Sequence, residues 1–187
     1  MNHDFLKNID NTWSLFLDRD GVINKRIVGG YVKTPEQFEF LPGVLESLAF
    51  FASVFNRIIV ITNQQGVGKG IMTEAELIEV NNHMINQIGK TGGRIDSVYY
   101  CTDVAESPHN CRKPSPKMAD KAIRDFPEID TKKSIMVGDS ITDIEFGNNT
   151  GMKTIFVMSD NNDEITTGLA NYQVTSLYHL KNLINKQ

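Results

Sequence analysis

Two aspartates separated by a single residue follow an apolar run near the start of the chain. Asp18 and Asp20 lie in the stretch FLDRDGVINKR, directly after residues 15–17, which read LFL. Carboxylates this close repel each other, so either one of them is protonated or a cation lies nearby. One carboxylate can also act as a covalent nucleophile while the other transfers protons. The pair is the first candidate for catalysis, although a lone aspartate in this position usually caps a turn.

Three further polar clusters follow later apolar runs. They are residues 62–66, which read TNQQG, the loop from Cys101 to Lys113, and residues 138–140, which read GDS. With the first cluster they supply three carboxylates, the Thr62 hydroxyl and a lysine ammonium. Hard oxygen ligands suit Mg²⁺, which usually binds one or two carboxylates, several waters and a phosphate oxygen. If the clusters meet, they form a site for a phosphoryl group beside Mg²⁺.

The apolar runs have the composition of strands that are buried on both faces. They are rich in Val, Ile, Phe and Tyr, carry little charge, and alternate with longer amphipathic segments. The pattern predicts strands over 13–17, 57–61, 95–101, 134–137, 153–157 and, more weakly, 173–175. It predicts helices over 43–54, 73–90, 116–126, 141–149 and 177–185. This alternation favours an α/β fold with a mostly parallel sheet and helices on both faces.

Such a fold would bring the polar clusters together. In an open parallel sheet, ligands bind beyond the carboxyl ends of the strands. Each polar cluster follows a predicted strand, so all four should meet at one edge of the sheet. Thr73 and Glu76 have the spacing of a capping box, which marks the start of the second long helix.

The composition narrows the class of protein. The chain has 187 residues, of which 40% are hydrophobic, and a net charge of −4. The length predicts a single domain over residues 1–187. The acidic balance predicts no partnership with nucleic acid or with an anionic membrane, and no apolar run approaches the roughly 20 residues of a membrane span. Without a signal peptide pattern, a cytoplasmic protein is expected, in which a disulfide between the two cysteines would be unusual.

Four motifs, in order, resemble those of the haloacid dehalogenase (HAD) superfamily of phosphatases. They are DRDGV, IVITN, RKPSP and VGDSITD, and they span most of the chain. The resemblance implies a Rossmann-like fold in which Asp18 is the nucleophile and Asp20 the general acid and base. It implies Mg²⁺ bound by the carboxylates of Asp18 and Asp139 and by the backbone carbonyl of Asp20. It also implies that Thr62 and Lys113 bind phosphate.

Short intervals between the motifs leave no room for a cap domain. Only 44 positions separate Asp18 from Thr62, and 51 separate Thr62 from Lys113. The loops resemble those of the capless subfamily that contains heptose bisphosphate phosphatases and histidinol-phosphate phosphatases. That resemblance implies substrate or phosphate contacts by residues in two of the loops, Asn63, Gln64, Arg112 and Lys113. Arg112 would be a suitable clamp for a second phosphate, since a guanidinium binds phosphate through two hydrogen bonds.

The loop before RKPSP departs from the subfamily pattern. Many members carry a zinc loop written Cys-x-His and then Cys-x-Cys, whereas this loop reads CTDVAESPHNCRKP. By resemblance, the ligand positions hold Cys101, Asp103, His109 and Cys111. All four residue types can bind Zn²⁺, and four ligands complete a tetrahedral structural site. A structural zinc ion is one expectation, and a loop held by packing without a metal is the other.

Several site candidates also have a purely structural explanation. Asp143, which the resemblance implies as a supporting acid, could instead stabilise the N-terminus of its helix through the helix dipole. Asn63 and Gln64 could be turn residues. Lys69 could add a further positive charge from the loop after the second strand. These alternatives are open on the sequence alone.

The first functional hypothesis is a Mg²⁺-dependent phosphatase that acts through an aspartyl-phosphate. The subfamily resemblance implies removal of the C7 phosphate of D-glycero-D-manno-heptose 1,7-bisphosphate, in the synthesis of nucleotide-activated heptose. Histidinol phosphate is the alternative substrate. A phosphoacceptor signalling domain uses similar residues, but Asp20 argues against one because an acid and base beside the nucleophile would hasten loss of the phosphoryl group. The expected partner is a small phosphorylated sugar or metabolite, and the protein is expected to be a monomer.

Overall fold

Six parallel strands form a sheet in the computed structural model, which describes residues 3–108, 110–158 and 168–185. The strands are β1 (Ser14–Leu17), β2 (Arg57–Asn63), β3 (Ser97–Cys101), β4 (Ser134–Gly138), β5 (Lys153–Val157) and β6 (Tyr172–Val174). Their order across the sheet is β3-β2-β1-β4-β5-β6. This is the order of a doubly wound sheet, in which ligands bind where the chain crosses from one side to the other. Here that point lies between the neighbouring strands β1 and β4.

Helices cover both faces of the sheet. They are α1 (Val44–Val54), the single turn α2 (Gln65–Gly68), α3 (Glu74–Lys90), α4 (Lys117–Asp125), α5 (Ile141–Thr150) and α6 (Leu177–Asn185). Short 3-10 helices occur at His3–Asn8, Pro35–Gln37 and Thr131–Lys133. Side chains of α1, α3 and α6 pack in one apolar core, and those of α4 and α5 pack in a second core.

The two cores lie on opposite faces of β1. Leu15 and Leu17 belong to the core of α1, α3 and α6, whereas Phe16 belongs to the core of α4 and α5. This alternation follows from the pleat of a strand, which points successive side chains to opposite faces. All four residues of β1 are buried. A strand packed on both faces gives the residue that follows it, Asp18, a fixed position.

The predicted α/β fold with helices on both faces is confirmed, and the sheet is parallel throughout the described residues. Strand β2 runs two residues beyond its predicted end because Thr62 and Asn63 pair with residues of β3. The predicted capping box is also confirmed. Thr73 Oγ1 accepts a hydrogen bond from Glu76 N at 3.2 Å, and Glu76 Oε2 accepts one from Thr73 N at 2.6 Å.

The segment between β1 and α1 lies beside the carboxyl edge of the sheet, where its residues 26, 27 and 29–32 line a cavity. Between Asp18 and Gly43 it contains turns and one 3-10 helix. No cap domain is evident in the part of the chain that the structure describes, as the motif spacing predicts. Among the same residues, no helix combines the length and the apolar character that crossing a bilayer requires.

Candidate active site

Residues from all four predicted clusters meet at the carboxyl ends of the central strands. They surround a cavity with a volume of about 530 Å³. Of the residues singled out from the sequence, its wall contains Asp18, Asp20, Thr62, Asn63, Gln64, Lys69, Arg112, Lys113 and Asp143. Asp139 lies directly beside this wall, with a carboxylate oxygen within 4.8 Å of oxygens of Asp18 and Asp143. The expected convergence of the strand ends is therefore present.

Lys113 is the centre of a buried ionic cluster. Its Nζ atom lies 2.6 Å from Asp18 Oδ1, 2.6 Å from Asp143 Oδ1 and 2.8 Å from the backbone oxygen of Ile61. The three charged residues are each no more than 5% exposed. Asp18 itself is tied to the sheet, since its backbone N donates to the Val137 oxygen at 2.9 Å. One cation thus holds two carboxylates that come from different strand ends.

Burial and charge change the protonation equilibria of this cluster. Burial raises the pKa of Asp18 from 3.8 to about 6, with Lys113 opposing the rise and Asp143 adding to it. Burial alone would lower the pKa of Lys113, but the Asp143 and Asp18 carboxylates outweigh it, so the pKa of Lys113 is raised. The lysine therefore remains a cation at neutral pH.

Asp143 serves two elements through its two carboxylate oxygens. Oδ2 accepts hydrogen bonds from Ser140 N at 3.0 Å and Ser140 Oγ at 2.6 Å, and the first of these is one half of the capping box at the start of α5. Oδ1 faces Lys113 as an ion pair. Asp143 therefore contacts both the start of its own helix and Lys113, and its role as a supporting acid stays a prediction.

Asp139 completes a set of carboxylates that fits a divalent cation. Burial raises its pKa from 3.8 to about 7, helped by the charge of Asp18 and opposed by Arg26. Oxygens of Asp18, Asp139 and Asp143 all lie within 4.8 Å of one another. Hard carboxylate oxygens are the ligands that Mg²⁺ prefers. The raised pKa values indicate negative charge that a cation would offset, so the residues fit the predicted magnesium.

Asp20 is held by Gln64 and by two residues that the motifs did not mark as site candidates, Arg19 and Asn24. Arg19 is fully buried, and its Nη2 atom lies 3.0 Å from Asp20 Oδ2. Asn24 Nδ2 donates to Asp20 Oδ1 at 2.9 Å, and Gln64 Nε2 donates to Oδ2 at 2.8 Å. Arg19 is fixed in turn, because its Nη1 donates to Asn81 Oδ1 of α3 at 3.0 Å. The carboxylate of Asp20 therefore has one defined orientation at the cavity wall.

Gly21 allows the loop after β1 to approach the loop after β4. Its φ angle is 102°, a conformation that side chains with a Cβ rarely adopt. A Cβ atom there would lie 1.9 Å from Asp139 Oδ2. Glycine is thus the residue that lets Asp20 and Asp139 come close together.

The polar residues at the end of β2 connect the loops of the site. Gln64 Nε2, which contacts Asp20, also donates to Thr62 Oγ1 at 2.9 Å. Asn63 Oδ1 accepts from Lys113 N at 2.9 Å, and Asn63 Nδ2 donates to the Lys113 backbone oxygen at 3.3 Å. Asn63 therefore fixes the backbone on both sides of the lysine. Direct contact of Asn63 or Gln64 with substrate stays a prediction.

The predicted zinc loop is closed by a disulfide. Cys101 and Cys111 are bonded to each other, with their Cα atoms 5.6 Å apart. The expectation of no disulfide is wrong, because the fold brings the two cysteines within the Cα distance at which a disulfide can form. No zinc site is shown, since bonded sulfurs are not thiolate ligands. Asp103 Oδ2 accepts from Cys111 N at 2.9 Å, and the fourth predicted ligand, His109, lies outside the described residues.

Several known proteins are similar to this chain. Residues 110–180 match the family model described as HAD-hydrolase-like. A D-glycero-alpha-D-manno-heptose-1,7-bisphosphate 7-phosphatase from Mycobacterium bovis is 40% identical over 137 residues, 73% of this chain and 72% of the relative. A D-glycero-beta-D-manno-heptose-1,7-bisphosphate 7-phosphatase from Pasteurella multocida is 31% identical over 179 residues, 91% of this chain and 96% of the relative.

A solved structure shares the fold over nearly its whole length. It is the crystal structure of D,D-heptose 1,7-bisphosphate phosphatase from B. bronchiseptica, complexed with magnesium and phosphate. The TM-score is 0.84 at 26% sequence identity, and the match covers 93% of this chain and 98% of that chain. Because almost nothing of either chain lies outside the match, the architecture without a cap is common to both.

Proposed function

This chain belongs to the family of heptose-1,7-bisphosphate 7-phosphatases within the HAD-like hydrolases, and from this premise we propose that it removes the C7 phosphate of D-glycero-D-manno-heptose 1,7-bisphosphate. One observation carries the proposal. The buried cluster of Asp18, Lys113 and Asp143 lies beside Asp20 in a cavity whose wall also contains Arg112 and Lys69. A bisphosphate requires a reaction centre for one phosphate and cationic groups for the other.

In the first proposed step, the carboxylate of Asp18 attacks the phosphorus atom of the C7 phosphate. A bond forms between a carboxylate oxygen and phosphorus, and the bond between phosphorus and O7 of the sugar breaks. O7 keeps the electron pair and takes a proton from the carboxyl of Asp20. Lys113, at 2.6 Å from Asp18 Oδ1, orients the nucleophile and offsets its charge.

In the second step, water attacks the phosphorus of the aspartyl-phosphate. The Asp20 carboxylate takes a proton from this water, so the proton given up in the first step is regained. The bond between phosphorus and the Asp18 oxygen breaks, which releases inorganic phosphate and restores the carboxylate. Arg19, Asn24 and Gln64 keep the Asp20 carboxylate in place for both transfers.

The charge of the phosphoryl group requires more than one cation. The carboxylates of Asp18 and Asp139 and the backbone carbonyl of Asp20 would hold Mg²⁺, which when bound offsets negative charge on the transferring group. Lys113 balances the carboxylates of Asp18 and Asp143, and the Thr62 hydroxyl supplies a hydrogen bond to phosphate. Arg112, which lies in the cavity wall, would bind the second phosphate.

We also propose that residues 1–187 form one catalytic domain that works as a monomer in the cytoplasm. The product would enter the synthesis of nucleotide-activated heptose. The location is supported by the substrate, because a phosphorylated sugar carries charges that an apolar membrane core excludes. The substrate class, a phosphorylated sugar, follows from the named activities of the relatives.

A panel of substrates tests the proposed activity. Phosphate release is measured for the α and β anomers of the heptose bisphosphate, for histidinol phosphate and for p-nitrophenyl phosphate. We expect kcat/KM for one anomer of the bisphosphate to exceed that for histidinol phosphate by about 100-fold or more. A preference for histidinol phosphate would refute the substrate assignment and leave the phosphatase chemistry in place.

The variant Asp18→Asn tests the nucleophile. Asparagine has nearly the same size but cannot form the aspartyl-phosphate, so we expect kcat to fall by about 10⁴-fold with the fold retained. The control Asp120→Asn changes an exposed aspartate of α4 and should have normal kcat. Circular dichroism checks that both variants are folded. Appreciable turnover by Asp18→Asn would exclude Asp18 as the nucleophile.

A further inference from the structure

A guanidinium from outside the four motifs lies on two of the proposed magnesium ligands. Arg26 Nη2 is 2.7 Å from Asp139 Oδ1 and 3.0 Å from the backbone oxygen of Asp20, and Arg26 Nε is 3.2 Å from the same backbone oxygen. These two acceptors belong to the loops after β4 and β1. The Arg26 guanidinium thus bridges Asp139 and the Asp20 backbone carbonyl, two of the three groups that would hold Mg²⁺.

The exposure of the two side chains indicates that Arg26 can exchange with another cation at Asp139. The side chain of Asp139 is 9% exposed, whereas that of Arg26 is 49% exposed, so the arginine reaches from solvent to a nearly buried carboxylate. The carboxylate needs a positive partner because an unpaired buried charge is strongly unfavourable. Arg26 itself loses little by leaving, since half of its side chain already contacts water. A divalent cation on the same oxygens would repel the guanidinium at close range.

A guanidinium that leaves Asp139 stays at the wall of the same cavity. Arg26 lines this cavity together with Lys69 and Arg112, and the following residues Ile27, Gly29 and Gly30 belong to the wall as well. The guanidinium presents a planar fork of N–H donors that matches a phosphate group. Its release would therefore add a third phosphate-binding cation to the wall that faces the substrate.

We propose that Arg26 is a metal-released phosphate anchor, which holds Asp139 in the metal-free protein and binds the second phosphate of the substrate once Mg²⁺ has displaced it. The inference rests on the proposed function, since it needs a substrate with two phosphates. In this scheme Mg²⁺ binds first and releases Arg26, and the released side chain then binds the substrate. Arg26 is a binding residue in this scheme and takes no part in proton transfer.

Metal binding without substrate tests the first half of the proposal. Arg26→Gln removes the competing charge, and Lys25→Gln removes the same charge from the neighbouring residue, whose exposed ammonium pairs with Glu39 at 3.4 Å. Mg²⁺ is titrated into metal-free protein by isothermal calorimetry. We expect the Kd of Arg26→Gln to be about three- to tenfold lower than that of the parent, and the Kd of Lys25→Gln to be unchanged. An equal or higher Kd in Arg26→Gln overturns the proposal.

Steady-state kinetics at saturating Mg²⁺ test the second half. The readout is the KM for the heptose bisphosphate divided by the KM for p-nitrophenyl phosphate, which has a single phosphate. This ratio should rise about fivefold or more in Arg26→Gln and remain unchanged in Lys25→Gln. An unchanged ratio in Arg26→Gln refutes the anchor while the activity of the parent stands. A parent that does not hydrolyse the bisphosphate refutes the proposed function instead, and the anchor with it.

Discussion

The strand ends and the rim of the cavity hold charged residues in opposite environments. At the end of β1 and in the first turn of α5, which follows β4, Asp18 and Asp143 are buried around the equally buried Lys113. At the rim, Arg26 has a side chain that is 49% exposed, and its ion pair with Asp139 faces solvent on one side. Buried charges persist only in paired arrangements, whereas exposed pairs contribute little and exchange readily.

This difference separates two tasks within one small cavity. The buried cluster has one arrangement, which suits a nucleophile that must be held at a defined distance from phosphorus. The rim belongs to loops, which can change their side-chain contacts without disturbing the sheet. Substitutions at the strand ends should therefore reduce both activity and stability, while substitutions at the rim should mainly change ligand binding.

Lys113→Met has the largest expected effect, and it tests whether the buried cluster supports both activity and stability. Two buried carboxylates would lose their shared cation, so we expect kcat to fall by about 10³-fold. The free energy of unfolding of the metal-free protein should fall by about 3–5 kcal/mol. Chemical denaturation measures it, with Lys153→Met as a control that changes an exposed lysine at the start of β5. Equal stability of the two variants would mean that the cluster contributes nothing to the fold.

Gly21→Ala should act on geometry rather than on charge. The added Cβ would lie 1.9 Å from Asp139 Oδ2, so the Asp139 carboxylate or the loop that carries it must shift. A misplacement of reacting groups by about 1 Å can lower rates by about 100-fold, and we expect a loss of that size in kcat/KM at saturating Mg²⁺. The control Gly92→Ala has a similar positive φ of 82° with no atom within 4 Å of the added Cβ. If both variants keep full activity, close approach of these loops is not required.

The smallest expected effect is a pH dependence of metal binding. Burial raises the pKa of Asp18 to about 6 and that of Asp139 to about 7, from 3.8. Between about pH 4 and 7 the metal-free folded protein therefore binds more protons than the unfolded chain, and its stability falls as the pH rises. Mg²⁺ replaces these protons, so its affinity should increase by more than about tenfold from pH 5.5 to 7.5.

Thermal unfolding with and without Mg²⁺ between pH 5.5 and 7.5 measures this pH dependence of metal binding. The stabilisation by Mg²⁺ should grow as the pH rises, while the midpoint of the metal-free protein declines. Asp139→Asn removes the carboxyl with the higher pKa and should flatten the upper part of the profile. A metal effect that is constant between pH 5.5 and 7.5 would show that these carboxyls do not take up protons in the folded protein.

The strand ends were predictable because their position follows from topology. Asp18, Thr62 and Asp139 each come directly after an apolar run, and parallel strands deliver their carboxyl ends to the same edge. Lys113 was singled out at the end of the loop that follows β3, and the RKPSP motif then implied its phosphate-binding role, since no strand ends directly at Lys113. Its partner Asp143 was identified as a candidate for two roles, and only the structure shows that separate oxygens contact Ser140 and Lys113.

The residues that support Asp20 depend on contacts between distant segments. Asn81 lies 62 positions after Arg19, and no local pattern connects them. A signal was nevertheless present, because Asn81 falls on the apolar side of α3 with Leu77 and Met84, where a polar side chain needs a partner. Arg26 gave no such signal, since an arginine in a loop is ordinary surface composition. The disulfide likewise depends on a Cα separation that only the fold defines.

The shared carboxylate of Asp143 links the active site to the local opening of a helix. One oxygen holds the amide and hydroxyl of Ser140 at the first turn of α5, and the other holds the ammonium of Lys113. Unwinding of that turn would free the carboxylate to rotate and leave the lysine with Asp18 as its remaining carboxylate partner. Hydrogen exchange at the Ser140 amide therefore reports how often the lysine loses its second support. The support of the nucleophile by Lys113 thus depends on the first turn of α5 staying folded.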